Sequence, residues 1–183
     1  MARIVCGEGE QADDGNVRIY MRGAGQGVWG GLTPVRVGAA PDNSGPDAVV
    51  VLKGPPACRF DVTCHRPAPM FAFEARLWAD WLAVGFGDRV TLVSLDGSRQ
   101  CEHQLEGYFS ELHDTGNALL ALSGQGIARL ARDGAVLWRR RDLGVDGVIL
   151  SEIKDGVIYG EGEWDPPGGW RPFQIDFVEG KPL

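Results

Sequence analysis

Short apolar runs interrupted by glycine dominate the second half of the chain. Residues 80–97, DWLAVGFGDRVTLVSLDG, align without a gap on residues 117–134, NALLALSGQGIARLARDG. Each copy has an apolar run, a glycine turn and a second run that ends at Asp-Gly. Asp-Gly between two β-rich runs is typical of a tight hairpin, because glycine accepts the positive φ that the turn requires. The pattern therefore predicts a repeating unit of short antiparallel strands.

A second pair of segments extends this unit. Residues 109–114, FSELHD, and residues 150–155, LSEIKD, read almost alike, and a looser third copy of the hairpin begins at Gly156 and ends at Glu179–Gly180. A period of roughly 40 residues with four short strands is typical of a propeller blade. We therefore predict an all-β fold: a small or incomplete β-propeller of antiparallel four-stranded units.

The chain is expected to form one domain, residues 1–183, because its length suits a single core. Repeat units are predicted near residues 70–107, 108–147 and 148–183, and residues 1–69 read as irregular strands and loops from which one more blade could be built. The strands predicted in that N-terminal part are residues 2–6 and 17–21, paired across the turn at 13–16, followed by 35–37, 48–52 and 60–64.

Residues 70–84 admit two interpretations. Apolar residues between Phe71 and Leu82 recur at helical spacing, which is compatible with an amphipathic helix. Apolar residues also alternate from Phe71 to Trp81, and the repeat register makes Trp81–Gly85 a strand. We expect strands here, with the helix as the alternative.

Two stretches resemble known repeats. Residues 126–138, GIARLARDGAVLW, resemble the repeat of quinoprotein-type β-propellers, in which a strand reaches a glycine turn and then a Leu-Trp pair, and residues 80–97 are similar to WD-type repeats. The resemblance covers about residues 70–183 and implies blade architecture alone. The chain is shorter than the usual rings of these families, and its Trp164–Asp165 dipeptide lies in an inserted loop instead of at a blade end. No quinone or other cofactor is expected.

The net charge and the short apolar runs limit the classes of partner that the chain is expected to bind. A formal net charge of −7 and a pI near 4.9 oppose binding to nucleic acid or anionic membrane, because both require a cationic surface. The N-terminus lacks a secretory apolar segment, and no apolar run approaches the ~20 residues of a membrane-spanning helix. We predict a cytoplasmic protein with four reduced cysteines whose partner is another protein.

Two motifs match cofactor or metal patterns by their letters. Residues 25–30, GQGVWG, match a dinucleotide fingerprint, but Pro34 and an alternating run follow where that motif requires a helix. Cys58, Cys64–His65 and Cys101–His103 include zinc-ligand types without a close Cys-x-x-Cys pair. We predict a glycine-rich turn for the first and no metal site for the second.

The segment FSELHD contains the residue types of a hydrolytic site, namely Ser110, Glu111, His113 and Asp114. Alternate residues of a strand point to opposite faces, so these side chains cannot all converge. The second copy has Lys154 in place of His113, which is typical of a solvated strand face. No catalytic residue is predicted, and an enzymatic role is not favoured.

The predicted binding residues are Trp164, Asp165, Trp170 and Arg171, in the segment EWDPPGGWRP. Exposed tryptophans on a rigid loop are common anchors of protein interfaces. The alternative is that both rings fold back and cap the open end of a sheet. Arg139–Arg141 is a weaker candidate, for which a solvated sheet edge is expected.

The leading hypothesis is a non-enzymatic protein-binding domain, with a bacterial inhibitor or immunity-type protein as one form of it. The alternative is a ligand-binding or hydrolytic β-domain that uses the Trp164–Trp170 loop over a pocket. Carboxylates that converge beside His103 or His113 would favour the alternative, and a flat acidic, aromatic surface would favour protein binding. Too few blades leave free sheet edges, so we also predict that an N-terminal strand covers one edge or that two copies pair through their edges.

Overall fold

The computed structural model describes residues 2–5, 7–23, 31–38, 45–54, 57–63, 71–165 and 168–183. Within these residues the chain forms seventeen β-strands in four sheets, which confirms the all-β prediction. The helical alternative for residues 70–84 is wrong, since this segment contains two paired strands. No helix that could cross a membrane occurs among the described residues.

The sheets are named I to IV in the order in which they stack. Sheet I contains, from edge to edge, β2 (Gln11–Asp13), β3 (Val17–Met21), β5 (Ala48–Leu52), β6 (Cys58–Thr63) and β4 (Pro34–Gly38). Sheet II contains β1 (Ala2–Ile4), β7 (Phe73–Trp78), β8 (Trp81–Phe86), β9 (Arg89–Ser94) and β10 (Gln100–Gln104). Sheet III contains β11 (Phe109–Asp114), β12 (Ala118–Ser123), β13 (Ile127–Ala131) and β14 (Val136–Arg140). Sheet IV contains β15 (Val148–Lys154), β16 (Val157–Trp164) and β17 (Gly169–Asp176).

An apolar layer fills each of the three junctions between successive sheets. Along β8, Leu82 and Val84 pack toward sheet I, whereas Trp81 and Ala83 pack toward sheet III. The continuous apolar runs of β8 and β12 therefore belong to strands that are buried on both faces. In contrast, β15 buries one face only.

The N-terminal prediction is partly wrong. The strand at Ala2–Ile4 pairs with β7 at Phe73–Ala75, and the partner of β3 across the turn at residues 13–16 is β2. Sheet I also contains a parallel pair, β4 with β6, so it is not a four-stranded antiparallel unit. The prediction that an N-terminal strand covers a sheet edge is confirmed, because β1 lies along the outer side of β7.

The two matching segments FSELHD and LSEIKD are the first strands of sheets III and IV. In β11 the pairing register shifts between Phe109 and Glu111, and in β15 it shifts between Leu150 and Glu152. Both shifts place a bulge at the serine of the motif. The sequence match therefore corresponds to the same local irregularity at the same place in two successive sheets.

Candidate functional site

The predicted binding segment EWDPPGGWRP is the tip of a long hairpin, β16–β17, instead of a loop inserted between strands. Trp164 is paired with Gly169, and Glu163 is paired with Trp170. Neighbouring residues of a strand point to opposite faces, so the two indoles lie on opposite sides of the hairpin. The structure therefore does not bring the two tryptophans into one patch. Pro166 and Pro167 lie outside the described residues.

The two faces of the hairpin tip differ. On one face, the Arg171 guanidinium lies 5.6 Å from the centre of the half-buried Trp164 ring, and Asp165 is exposed at the turn. On the other face, Trp170 keeps 45% of its surface exposed. Of the two predicted tryptophans, Trp170 therefore presents more surface to a partner than Trp164.

Trp170 rests on the backbone that leads into β15. A Cβ added at Gly147 would lie 2.9 Å from Trp170 Cη2 and 3.3 Å from Glu163 Oε2, so the absence of a side chain there lets both groups approach. The carbonyl of the preceding residue, Asp146, accepts a hydrogen bond from the Tyr108 hydroxyl. Trp170 and Tyr108 are therefore linked through two adjacent residues.

Tyr108 in turn contacts Phe71. Their ring centroids are 4.2 Å apart and the rings are tilted by 46°. Phe71, Tyr108 and Gly147 each lie within two residues of the start of β7, β11 or β15, the strands that open the antiparallel meanders of sheets II, III and IV. The aromatic strip, defined as Phe71, Tyr108 and Trp170 with the acidic residues Asp146 and Glu163, therefore crosses the same end of three successive sheets.

Carboxylates surround the middle of this strip. Burial raises the pKa of Tyr108, and the charges of Asp146 and Glu163 raise it further. The phenol therefore stays neutral and keeps its proton for the bond to the Asp146 carbonyl. Exposed aromatic faces beside carboxylates provide favourable contacts for a Lys or Arg side chain. The sequence did not indicate Phe71 or Tyr108, because nothing in a single chain shows that residues 37 positions apart meet at one end of a stack.

A second feature is an open groove between sheets I, II and III, whose polar lining is formed by Asp14, Asn16, Arg76, His113 and Asp114. His113 and two carboxylates thus converge, as the ligand-binding alternative requires. Both carboxylates also shape turns. Asp14 Oδ1 accepts the amides of Asn16 and Val17, and Asp114 Oδ1 accepts the amide of Gly116 at 2.8 Å.

Next to this groove, a carboxylate is buried between sheets II and III. Glu74 has no exposed surface, and its Oε2 accepts the Leu112 amide at 3.0 Å. Arg76 lies 3.7 Å from its Oε1 and Arg3 lies 4.0 Å from its Oε2. Burial raises the pKa of Glu74, and the Leu112 amide and the two arginines oppose that rise. The Arg3 side chain also donates to the Ser110 carbonyl at 2.8 Å, which ties β1 to sheet III.

Among the residues of FSELHD, the structure forms no activated nucleophile. The Ser110 hydroxyl is buried at the bulge and has no hydrogen-bond partner in the described part of the chain. His113 lines the groove and is paired with Leu120 of β12. The hydroxyl of Ser110 therefore has no base in contact with it.

The cysteines and histidines considered as metal ligands are separated. Cys58 packs against the apolar layer between sheets I and II, whereas Cys101 packs between sheets II and III. His103 donates to the Gly134 carbonyl at 2.8 Å. Cys64 and His65 lie outside the described residues, as does the segment 25–30. Within the described part of the chain, no group of three or more His, Cys, Asp or Glu is placed to hold a metal ion.

The three consecutive arginines of β14 and its C-terminal end bond in two directions. Arg139 donates to the Gln104 carbonyl at 3.1 Å, and Arg141 lies 3.0 Å from Glu106, both toward sheet II. Arg140 donates to the Gly180 carbonyl at 3.3 Å, toward sheet IV. Arg140 thus points away from the direction of its two neighbours, as alternate residues of a strand do. These arginines bridge neighbouring sheets instead of forming one basic patch.

No protein-family model and no curated protein sequence matches this chain.

Proposed function

We propose that this chain is a non-enzymatic binding protein whose partner is another protein, of the inhibitor or immunity type, and that the aromatic strip is its interface. The observation that carries the proposal is the exposure of two large rings on rigid strand ends: Phe71 is 49% and Trp170 is 45% exposed. Aromatic side chains on rigid elements are common binding hot spots, because they bury a large area and lose little conformational entropy.

The charges and rings of the strip indicate which kind of surface the partner presents. Asp146 and Glu163 place negative charge beside Tyr108, and the whole chain carries a formal net charge of −7. A partner with exposed Lys or Arg side chains next to an apolar patch would match both the rings and the carboxylates. The proposed partner is therefore a protein with a cationic surface.

The test starts with capture of partners from the native cell extract on the immobilised chain, followed by calorimetry with the purified partner. Trp170→Ala should weaken binding by about 2 kcal/mol or more, roughly thirty-fold, and leave the melting temperature nearly unchanged. Trp164→Ala is the matched control, because its ring lies on the other face of the hairpin against Arg171. Equal loss of affinity in both variants, or unchanged affinity in Trp170→Ala, would contradict the assignment.

We also propose that the four sheets are blades of an incomplete β-propeller. In each of sheets I to III, an edge strand packs against a hairpin glycine of the next sheet: a Cβ at Gly97 would lie 2.9 Å from Val35 of β4, one at Gly134 would lie 3.0 Å from Cys101 of β10, and one at Gly180 would lie 2.6 Å from Trp138 of β14. The same contact at three junctions supports a repeated blade. A crystal structure in which successive sheets do not rotate about a common axis would contradict it.

The groove supports the alternative function, a ligand-binding or hydrolytic domain. His113 and Arg76 line it beside two aspartates, so it offers polar contacts to a small molecule. His113 lies near the end of β11, whereas Trp170 contacts Gly147 beside the start of β15, so the groove and the hairpin tip lie at different ends of the sheets. A screen of small polar molecules by amide chemical-shift changes, repeated with His113→Ala, tests this alternative. Saturable shifts around His113 that the variant abolishes would favour it over protein binding.

A further inference from the structure

Sheet IV leaves its outer face without a covering sheet in the described chain. The strand register places the following residues on that face: Ile149, Glu152, Lys154, Val157, Tyr159, Glu161, Glu163, Trp170, Pro172, Gln174 and Asp176. The centre is apolar and Ile149 is 50% exposed. Three glutamates and one aspartate against one lysine give the face a net negative charge. A contiguous apolar patch with a polar rim on an exposed sheet face is typical of an interaction surface.

Sheet I, at the other end of the stack, has an outer face of opposite charge. The register places these residues there: Arg18, Tyr20, Pro34, Arg36, Val49, Val51, Arg59 and Asp61. Arg59 is paired with Asp61, and Arg18 and Lys53 share the single carboxylate of Asp13 in β2. The excess positive charge of the face therefore comes from Arg36 and from the cluster of Arg18 and Lys53. Val49, Val51 and Tyr20 occupy the middle, where Val51 is 8% exposed and the Arg18 guanidinium lies 5.9 Å from the centre of the Tyr20 ring. A cationic face in a chain of net charge −7 is notable because most of the chain's surface charge has the other sign.

The free edge of sheet IV is protected against strand pairing. The C-terminal residues already cover one half of β17, since Ile175 pairs with Pro182 and the Leu183 amide donates to the Gln174 carbonyl at 3.1 Å. Alternate residues of β17 face the same edge as Gln174, so Pro172 also faces outward and offers no N–H. A proline at this position blunts a sheet edge. Edge-to-edge association through β17 is therefore disfavoured, and the faces are left as the contact surfaces.

We propose that two copies of this chain associate head to tail, so that the outer face of sheet IV of each copy covers the outer face of sheet I of the other. The glutamates Glu152 and Glu161 would then face Arg18 and Arg36 of the second copy around an apolar centre. This contact continues the face-to-face stacking that the chain already uses at its three internal junctions. Because each copy supplies both faces, two copies close into a ring of eight sheets, and no face is left open.

Sedimentation velocity on the full chain provides the test. The wild-type chain should sediment as a dimer at micromolar concentration, and the dimer should weaken as salt rises, because opposite surface charges are screened. The double variant Glu152→Arg/Glu161→Arg and the double variant Arg18→Glu/Arg36→Glu should each sediment as monomers. Circular dichroism would verify that both variants remain folded.

Mixing the two charge-reversed double variants distinguishes the head-to-tail dimer from other arrangements of two copies. In a head-to-tail ring of one copy of each, one junction is native and the other joins two reversed faces, so the equimolar mixture should recover the dimer. A pairing of like faces would instead leave one variant dimeric by itself. Phe71→Ala is the control for the aromatic strip: it should leave the dimer intact even if it abolishes partner binding, so the two proposals can fail separately. A wild-type monomer at all concentrations, no recovery on mixing, or oligomers that keep growing with concentration would overturn the closed dimer.

Discussion

His103 and Arg140 lie 37 residues apart and make the same contact in successive sheets. His103 Nε2 donates to the Gly134 carbonyl at 2.8 Å, and Arg140 Nη1 donates to the Gly180 carbonyl at 3.3 Å. In both cases the donor lies on the last strand of one sheet and the acceptor is the glycine that turns a hairpin in the next sheet. The side chains differ, so what recurs is the position of a long donor over the hairpin and not a particular residue type.

The first prediction concerns the glycines at these junctions. Gly180 has φ +70° and a Cβ there would lie 2.6 Å from the Trp138 ring. Gly180→Ala should therefore lower the free energy of unfolding by about 1 kcal/mol for the backbone strain and by more for the displaced ring. Gly116→Ala is the matched control, because Gly116 has φ +82° and nothing within 4 Å of its added Cβ. Urea unfolding of both variants gives the difference, and equal losses would show that the Trp138 contact contributes nothing.

A second prediction concerns the close approach of sheets II and III. A Cβ at Gly85 in β8 would overlap the ring of Phe109, which is fully buried. Gly85→Ala should lower the free energy of unfolding by about 1–3 kcal/mol, because the packed layer has no room for an added methyl group. In the double variant Gly85→Ala/Phe109→Leu the smaller side chain makes room, so its loss should be less than the sum of the two single losses. Strict additivity would contradict a clash at this site.

Individual residues show how far the sequence determines the fold. The Asp-Gly and glycine turns gave the strands near residues 81–86 and 118–123 correctly, since local alternation and turn chemistry depend on neighbouring residues alone. The strand predicted to pair with Ala2–Ile4 was the wrong one. Its true partner β7 is about 70 residues away, and the closer strand at Val17–Met21 has an equally apolar pattern. Long-range pairing depends on the packing of whole sheets.

The candidate site shows the same limit. The sequence indicated Trp170 because an exposed tryptophan beside a Pro-Gly turn is a local feature. It could not show that Trp164 lies on the opposite face, since that depends on how far the strand pairing continues into the hairpin. Phe71 and Tyr108 look like ordinary apolar residues before strands. Only the stacking of the sheets brings them into one strip with Trp170.

A third prediction concerns the N-terminal strand. Arg3 donates to the Ser110 carbonyl of sheet III and lies near Glu74 and Glu111, while its own strand pairs with β7. Arg3→Ala should lower the free energy of unfolding by about 1–3 kcal/mol, because it leaves a buried carboxylate with less compensation. Deletion of residues 1–24 should have a larger effect and cause aggregation, since it uncovers β7 and removes two strands of sheet I.

Arg132→Ala is the control for this contact, because Arg132 also donates to a backbone carbonyl, that of Gly116, but at an exposed site. Its effect should stay within about 0.5 kcal/mol. Chemical denaturation measures the point variants, and light scattering measures the truncated chain. A truncated chain that stays monomeric and equally stable would show that the N-terminal strand protects nothing.

The last prediction is the pH dependence that Glu74 contributes. Its carboxyl is buried between sheets II and III, and burial raises its pKa above the ordinary value of 4.5 in spite of Arg76 and Arg3. Above 4.5 the unfolded chain releases this proton more readily than the folded protein does. The contribution of Glu74 to stability must therefore fall as pH rises from below 4.5 through the raised pKa, and then level off.

Glu74→Gln keeps an oxygen to accept the Leu112 amide but cannot ionise. The free energy of unfolding of the variant minus that of the wild type should thus increase with pH across this window. Urea unfolding between about pH 4 and pH 8 measures this difference. A difference that stays constant, or that decreases with pH, would mean that the two arginines and the amide bond outweigh burial and hold Glu74 in its charged form.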